Sequence, residues 1–214
     1  MKTMCSEANR GISVADIKTP APSCLESGSG GQLMGAAMLI ARSSAECHIY
    51  IELRPCECGE SRAPWKHRLE SRADALVAVY EDRCDRCARS WAFEFVLDRE
   101  ISPMGKFGGD RPSQIVDAGQ FLAVADTAAR AVSGDVSALD DLSRQRARAL
   151  MLRAVAAVEE VLKFIPPGGD RVAADSLFSA MGKQMYLAEP GRFRKSRLEV
   201  VLGVYRQAVA RLSW

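Results

Sequence analysis

Two pairs of closely spaced cysteines constrain the fold of this 214-residue chain more than any other feature. Cys56 and Cys58 form the first pair, and Cys84 and Cys87 form the second. Four thiolates from two neighbouring turns can close a tetrahedral shell around one metal ion, with zinc–sulfur distances of ~2.3 Å. The sequence therefore predicts one structural metal ion, for which zinc is favoured and iron is the alternative.

Strands are predicted on both sides of the cysteine pairs. Residues 47–55 (CHIYIELRP) alternate apolar and polar side chains, which indicates a half-buried strand. The same alternation predicts strands at residues 75–82 and 91–97. Each cysteine pair then comes directly after a strand, so the two pairs are expected at neighbouring turns.

The motifs "CECG" and "CDRC" resemble the zinc ribbon, in which two knuckles on β-hairpins hold one zinc ion. The resemblance covers residues 47–98, and it implies a ribbon-like sheet with the four cysteines as zinc ligands. The sequence departs from the usual pattern in three ways. The first knuckle is CxC, 25 residues separate Cys58 from Cys84, and Ala88 stands where glycine is common. The layout is also similar to that of uncharacterised bacterial proteins that join such a ribbon to a helical C-terminal part.

A helical period begins after Pro103 and continues to the end of the chain. Apolar residues spaced by three or four predict four helices, at about residues 113–132, 138–164, 173–188 and 194–212. The predicted fold is therefore α+β. A small, three-stranded antiparallel, zinc-ribbon-like sheet is followed by a four-helix α domain.

Three segments are predicted along the chain. Residues 1–32 mix Pro, Ser and Gly without hydrophobic periodicity, which is typical of a disordered tail. Residues 33–102 form the β module, and residues 103–214 form the α-helical domain. A translation start at Met34 or Met38 is an alternative, so it is open whether residues 1–37 belong to the mature protein.

Composition disfavours a nucleic-acid or membrane partner. The chain has 29 basic and 27 acidic residues, and none of its segments has the positive excess that contact with many phosphates requires. Its apolar runs are shorter than the ~18 residues that indicate a membrane span. Seven cysteines, an odd number, do not fit a secreted disulfide framework. A cytoplasmic protein with reduced thiols is expected.

The sequence favours a protein that is not an enzyme. It contains no HExxH, no GxSxG and no phosphate-binding Gly-Lys-Ser/Thr loop. A zinc ion closed by four thiolates has no open position for a water molecule. Cys47 and His48 are adjacent, but neighbours on a strand face opposite ways. Cys47 is therefore predicted to be a buried core residue.

The favoured function is a non-enzymatic zinc-binding protein that acts through protein interaction, as an adaptor or as an immunity or accessory factor. Residues 59–74 are predicted to form a long exposed recognition loop, in which Trp65 is either a partner contact or a lid over the ribbon core. Arg192, Arg194 and Lys195, near the start of the last helix, are further candidate contacts. Two alternatives stay open: a zinc-ribbon regulator that binds nucleic acid, and an enzyme with a site between the β module and the helices.

Overall fold

The computed structural model describes residues 38–60, 65–100, 102–132 and 139–213. Within these ranges the protein has an α+β fold with a four-stranded sheet and five α-helices. The predicted tail and Met34 lie outside the described residues. The predicted domain boundaries at residues 32 and 102 stay predictions.

The sheet is larger than predicted, and its first strand is parallel to its neighbour. Its strands are β1 (Leu39–Ala41), β2 (Lys66–Arg72), β3 (Ala75–Arg83) and β4 (Ser90–Leu97). They lie in the order β1-β4-β3-β2, with β1 parallel to β4 and the other pairs antiparallel. The strands predicted at 75–82 and 91–97 are confirmed as β3 and β4. The prediction of three strands is wrong.

The strand predicted at residues 47–55 is wrong, because most of this segment is helix α1 (Ser44–Glu52). The Ser43 hydroxyl accepts a hydrogen bond from the Glu46 N–H at 3.1 Å and caps the helix. Cys47, Ile49 and Ile51 are all buried. Because α1 is buried on more than one side, its sequence lacks the apolar stripe that usually identifies a helix.

The exposed loop predicted at residues 59–74 is also wrong, because residues 66–72 form β2. Nearly every side chain of β2 is exposed, so the segment has the composition of a loop. Cross-strand ion pairs hold its polar face to the sheet. Arg68 pairs with Glu81 at 2.6 Å and Arg72 pairs with Glu94 at 2.7 Å.

The helices after residue 103 overlap the four predicted segments, and α1 brings the number in the described chain to five. Their bounds are α2 (Ala118–Arg130), α3 (Asp141–Leu162), α4 (Ala180–Ala188) and α5 (Lys195–Arg211). The helix predicted at 173–188 is shorter than expected. Residues 174–176 form a 3₁₀ turn, and α4 begins after its cap, Ser179.

One hydrophobic core joins the sheet to the helices. Tyr80 and Phe95 from the sheet belong to the same buried cluster as Ile49 of α1, Phe121 of α2 and Val158 of α3. The helices pack on one face of the sheet, and the Arg–Glu pairs of β2 lie on the opposite face. The core therefore fixes the sheet, while the ends of its strands extend beyond it.

A buried ion network fastens the N-terminal part of the fold to α3. Arg42 pairs with Glu46 at 2.6 Å and with Glu160 at 2.8 Å. Lys163 pairs with Glu160 at 2.5 Å and donates to the Gly109 carbonyl at 2.6 Å. Arg42, Glu46 and Glu160 are almost fully buried, so their charges must compensate one another.

Candidate metal centre

The first knuckle is a tight turn between α1 and β2. The Cys56 N–H donates to the Glu60 carbonyl at 2.8 Å, and the Gly59 N–H donates to the Cys56 carbonyl at 2.7 Å. Gly59 has a φ of 85°, a left-handed conformation that glycine adopts without steric cost. The turn brings Cys56 and Cys58 to one side, although only one residue separates them.

The second knuckle joins β3 to β4. The Cys84 N–H donates to the Arg89 carbonyl at 2.9 Å, and the Ala88 N–H donates to the Cys84 carbonyl at 2.8 Å. Ala88 has a φ of 57°, in the left-handed region that favours glycine. The knuckle therefore keeps the usual backbone shape, although alanine occupies the glycine position.

The two knuckles bring all four cysteine sulfurs together. Their Sγ atoms lie within 4.8 Å of one another. Two of the separations run between the knuckles: 3.4 Å from Cys56 to Cys87 and 3.5 Å from Cys58 to Cys84. A tetrahedral ion with bonds of ~2.3 Å would place its sulfurs ~3.8 Å apart. We call Cys56, Cys58, Cys84 and Cys87 the cysteine cluster, and its spacing fits a metal ion.

The cluster is half enclosed by the protein. Cys56 and Cys84 are buried, Cys58 is partly buried, and Cys87 is exposed. A metal ion bound there would be shielded on the side of Cys56 and Cys84 and open to solvent on the side of Cys87.

The electrostatics of the cluster favour a bound cation. Burial acts to raise the pKa of Cys84, but hydrogen bonds from the backbone N–H groups of Cys87 and Arg86 and from neighbouring thiols lower it to about 7. The Arg89 N–H acts to lower the pKa of Cys87, but hydrogen bonds with the Cys56 and Cys84 thiols raise it to about 12. Because thiolates repel one another, a cation is needed for all four to ionise together.

Two arginines of the second knuckle brace the first. Arg86 donates to the Cys58 carbonyl at 3.0 Å, and Arg89 forms an ion pair with Glu57. Four thiolates and one divalent ion carry a net charge of −2, which nearby cations stabilise. These bracing residues were not predicted. The signal for them is the arginine on each side of Cys87 in "DRCAR".

Trp65 lies just before β2, at the end of the sheet that carries the cysteine cluster. Its ring stacks on Trp91 with centroids 5.2 Å apart, and it meets the edge of Phe93 at 5.6 Å. Trp65 is only partly buried. Of the two predicted roles, this position favours that of a lid that covers the ribbon core. The role of Trp65 as a partner contact stays a prediction.

The other candidate contacts lie in the helical part of the chain, at the turn before α5 and at its start. Arg192 is held by both carboxylate oxygens of Asp126, each at 2.7 Å. Arg194 and Lys195 are exposed where α5 begins. With Arg192 paired to an acid, the basic group has less free charge for a partner than its sequence suggests.

Cys47 lies apart from the cluster. It is fully buried in the core, as predicted, and burial raises its pKa to about 12. His48 is exposed, and its ring and that of His67 contact Tyr80 at 5.4 and 4.8 Å between centroids. The two histidines therefore meet on one aromatic ring rather than at the sulfurs.

Comparison with protein-family models, with curated proteins and with solved structures gives no match. Among the described helices, none is long and apolar enough to cross a membrane. The ribbon-like character of the site therefore rests on the cysteine cluster and its two knuckles.

Proposed function

We propose that this chain is a zinc-binding protein in which the cysteine cluster holds one structural Zn²⁺ ion. The observation that supports this is the convergence of four sulfurs from two turns, within 4.8 Å of one another. Zinc accepts four thiolates in a tetrahedral shell. A cytoplasmic setting, in which thiols stay reduced, is part of the same proposal.

The role of the ion follows from the number of its ligands. Four protein thiolates fill the shell, so no position is left for a water molecule or a substrate. Zn²⁺ there would tie the turn after α1 to the β3–β4 turn and contribute to folding free energy. We therefore propose a structural zinc ion and a protein without enzymatic activity.

Metal analysis of the purified chain tests the site. We expect one zinc ion per chain, which is lost in the double variant Cys84→Ser, Cys87→Ser. Cys47→Ala is the matched control, because Cys47 is buried outside the cluster and its removal should leave the zinc content unchanged. A folded wild-type protein without metal would contradict the proposal. Bound iron in place of zinc would keep the site and change the ion.

We further propose that the chain acts as a rigid platform for a protein partner, as an adaptor or accessory factor would. Exposed apolar side chains support this, since α5 presents Val200 and Val204 with 59% and 56% of their surface accessible. Apolar groups at one helix face are typical of protein interaction sites.

Co-purification from the source cell tests the platform. Partners should be captured by the wild type and lost when Val200 and Val204 are both replaced by Ser, while the zinc content stays at one per chain. Leu152→Ser, on exposed α3 surface, is a control that should retain them. Equal capture by all three chains would contradict this use of α5.

A further inference from the structure

The outer edge of β2 is a feature that the proposed zinc site does not explain. In the described part of the chain, β2 is the last strand of the sheet and has a neighbour, β3, on one side alone. It is seven residues long, and it contains no proline. Natural edge strands are usually short, bulged or covered, because an open edge can pair with another strand.

The exposed side chains of β2 differ between its two faces. On the helix-side face, Leu69 and its diagonal neighbour Leu76 are 53% and 45% exposed, beyond the reach of the core. On the opposite face, Arg68, Glu70 and Arg72 alternate in charge. The edge therefore offers an apolar residue at its centre and ordered charges around it.

We propose that β2 pairs with β2 of a second copy of this chain, antiparallel, about a twofold axis at Leu69. Such a dimer continues the sheet across both copies, in the manner of strand addition to an open edge.

The register follows from parity and charge. In a continuous antiparallel sheet, directly opposite side chains lie on the same face, so a twofold axis perpendicular to the sheet must lie between a residue and its own copy. An axis at Arg68 or at Glu70 would set that residue against its own copy. An axis at Leu69, the middle residue of β2, pairs all seven residues of the strand. It sets Arg68 against the partner's Glu70, twice by symmetry, and Leu69 against the partner's Leu69.

The ends of the paired strands place like charges opposite each other, and acids of the same copy lie beside them. The axis at Leu69 sets Lys66 opposite the partner's Arg72. Within each copy Arg72 is neutralised by Glu94 at 2.7 Å and by Glu70 at 2.5 Å, and Lys66 lies opposite Glu81, the acid that also pairs with Arg68. The polar face of β2, β3 and β4 has four basic and three acidic residues: Lys66, Arg68, Arg72, Arg83, Glu70, Glu81 and Glu94.

The register gives a charge-swap test on the full, metal-bound chain. Arg68→Glu sets glutamate against glutamate across the axis, and Glu70→Arg sets arginine against arginine. Each variant alone should raise the dimer dissociation constant by at least about tenfold, because two favourable cross-strand pairs become two repulsive ones. An equimolar mixture should form a heterodimer, in which both pairs are again of opposite sign.

Sedimentation velocity across a concentration series measures these states. The controls are Arg153→Glu and Glu52→Arg, which make the same charge changes at an ion pair between α3 and α1. They should dimerise like the wild type, and circular dichroism should show all variants folded. A wild type that stays monomeric at its highest soluble concentration would overturn the proposal. So would a dimer that ignores both variants, or a mixture that gives no heterodimer.

Discussion

The cysteine cluster and the buried ion network each bring four ionisable groups together, and they solve the problem of charge in opposite ways. The network contains its own counter-charges, two bases and two acids in direct contact. The cluster contains four acids, and its sulfurs have no base among them. The network is therefore complete within the chain, whereas the cluster requires an ion from solution to reach its fully ionised state.

Removal of the metal should have the largest effect, and it should destabilise the region of the cysteine cluster without affecting the buried ion network. In finger peptides, zinc binding contributes roughly 10–16 kcal/mol to folding. We expect the two knuckles and the adjoining ends of β2, β3 and β4 to lose protection from hydrogen exchange after chelation. Helices α2 and α3 should keep theirs, because the core and the network hold them. Unchanged exchange near the cysteines would show that the ion is not structural.

Arg42→Met removes a base from the buried ion network. It leaves Glu46 and Glu160 buried without their main counter-charge, for which we expect a loss of ~3–5 kcal/mol in the free energy of unfolding. Urea denaturation of the metal-bound protein measures it. Arg153→Met is the control, since Arg153 pairs with Glu52 at the surface and should cost ~1 kcal/mol or less. Equal losses in the two variants would contradict a special role for the network.

Ala88→Gly sharpens the account of the second knuckle. Relief of the left-handed φ of 57° should stabilise the metal-bound protein by ~1 kcal/mol, partly offset by the greater freedom of glycine when unfolded. Ala73→Gly is the matched control, because Ala73 has a φ of 51° in the β2–β3 turn. Both variants should gain stability, but only Ala88→Gly should bind metal more tightly. Equal metal affinity in the two would show that the knuckle backbone is not limiting.

The smallest effect concerns Cys47 and appears only at high pH. Burial raises the pKa of its thiol from 9.0 to about 12, so the folded protein retains a proton that the unfolded chain releases. Stability from this group is present below pH ~9 and falls as the pH rises towards 12. Urea titrations should show a shallower pH dependence in Cys47→Ala than in the wild type. An identical slope would indicate that the Cys47 thiol is solvated in the folded state.

The cysteine pairs were predictable because knuckle spacing is local. Both pairs are set by turns of five or six residues, and β3 and β4 alternate strongly enough to be recognised. The backbone shape at Ala88 could not be predicted from alanine itself. It follows from the hydrogen bond that closes the turn on Cys84.

The failures lie where tertiary contacts override local pattern. The pattern of α1 predicts a strand because Ile49 and Ile51 alternate with polar residues, yet Ser43 and Glu46 have the spacing of a helix start. The composition of β2 predicts a loop because its charges form ion pairs with β3 and β4, which no local pattern reveals. The network joins Arg42 to a residue 118 positions away, so its pairing was equally hidden.

That separation in sequence has a consequence for how the protein is made. Synthesis proceeds from the N-terminus, so the sheet and both knuckles leave the ribosome well before Glu160 of α3 does. Until then Arg42 and Glu46 lack one of the acids and the helix that cover them. We expect the knuckles to be able to bind their ion on the nascent chain. The region of β1 and α1 can complete its packing only after α3 has been synthesised.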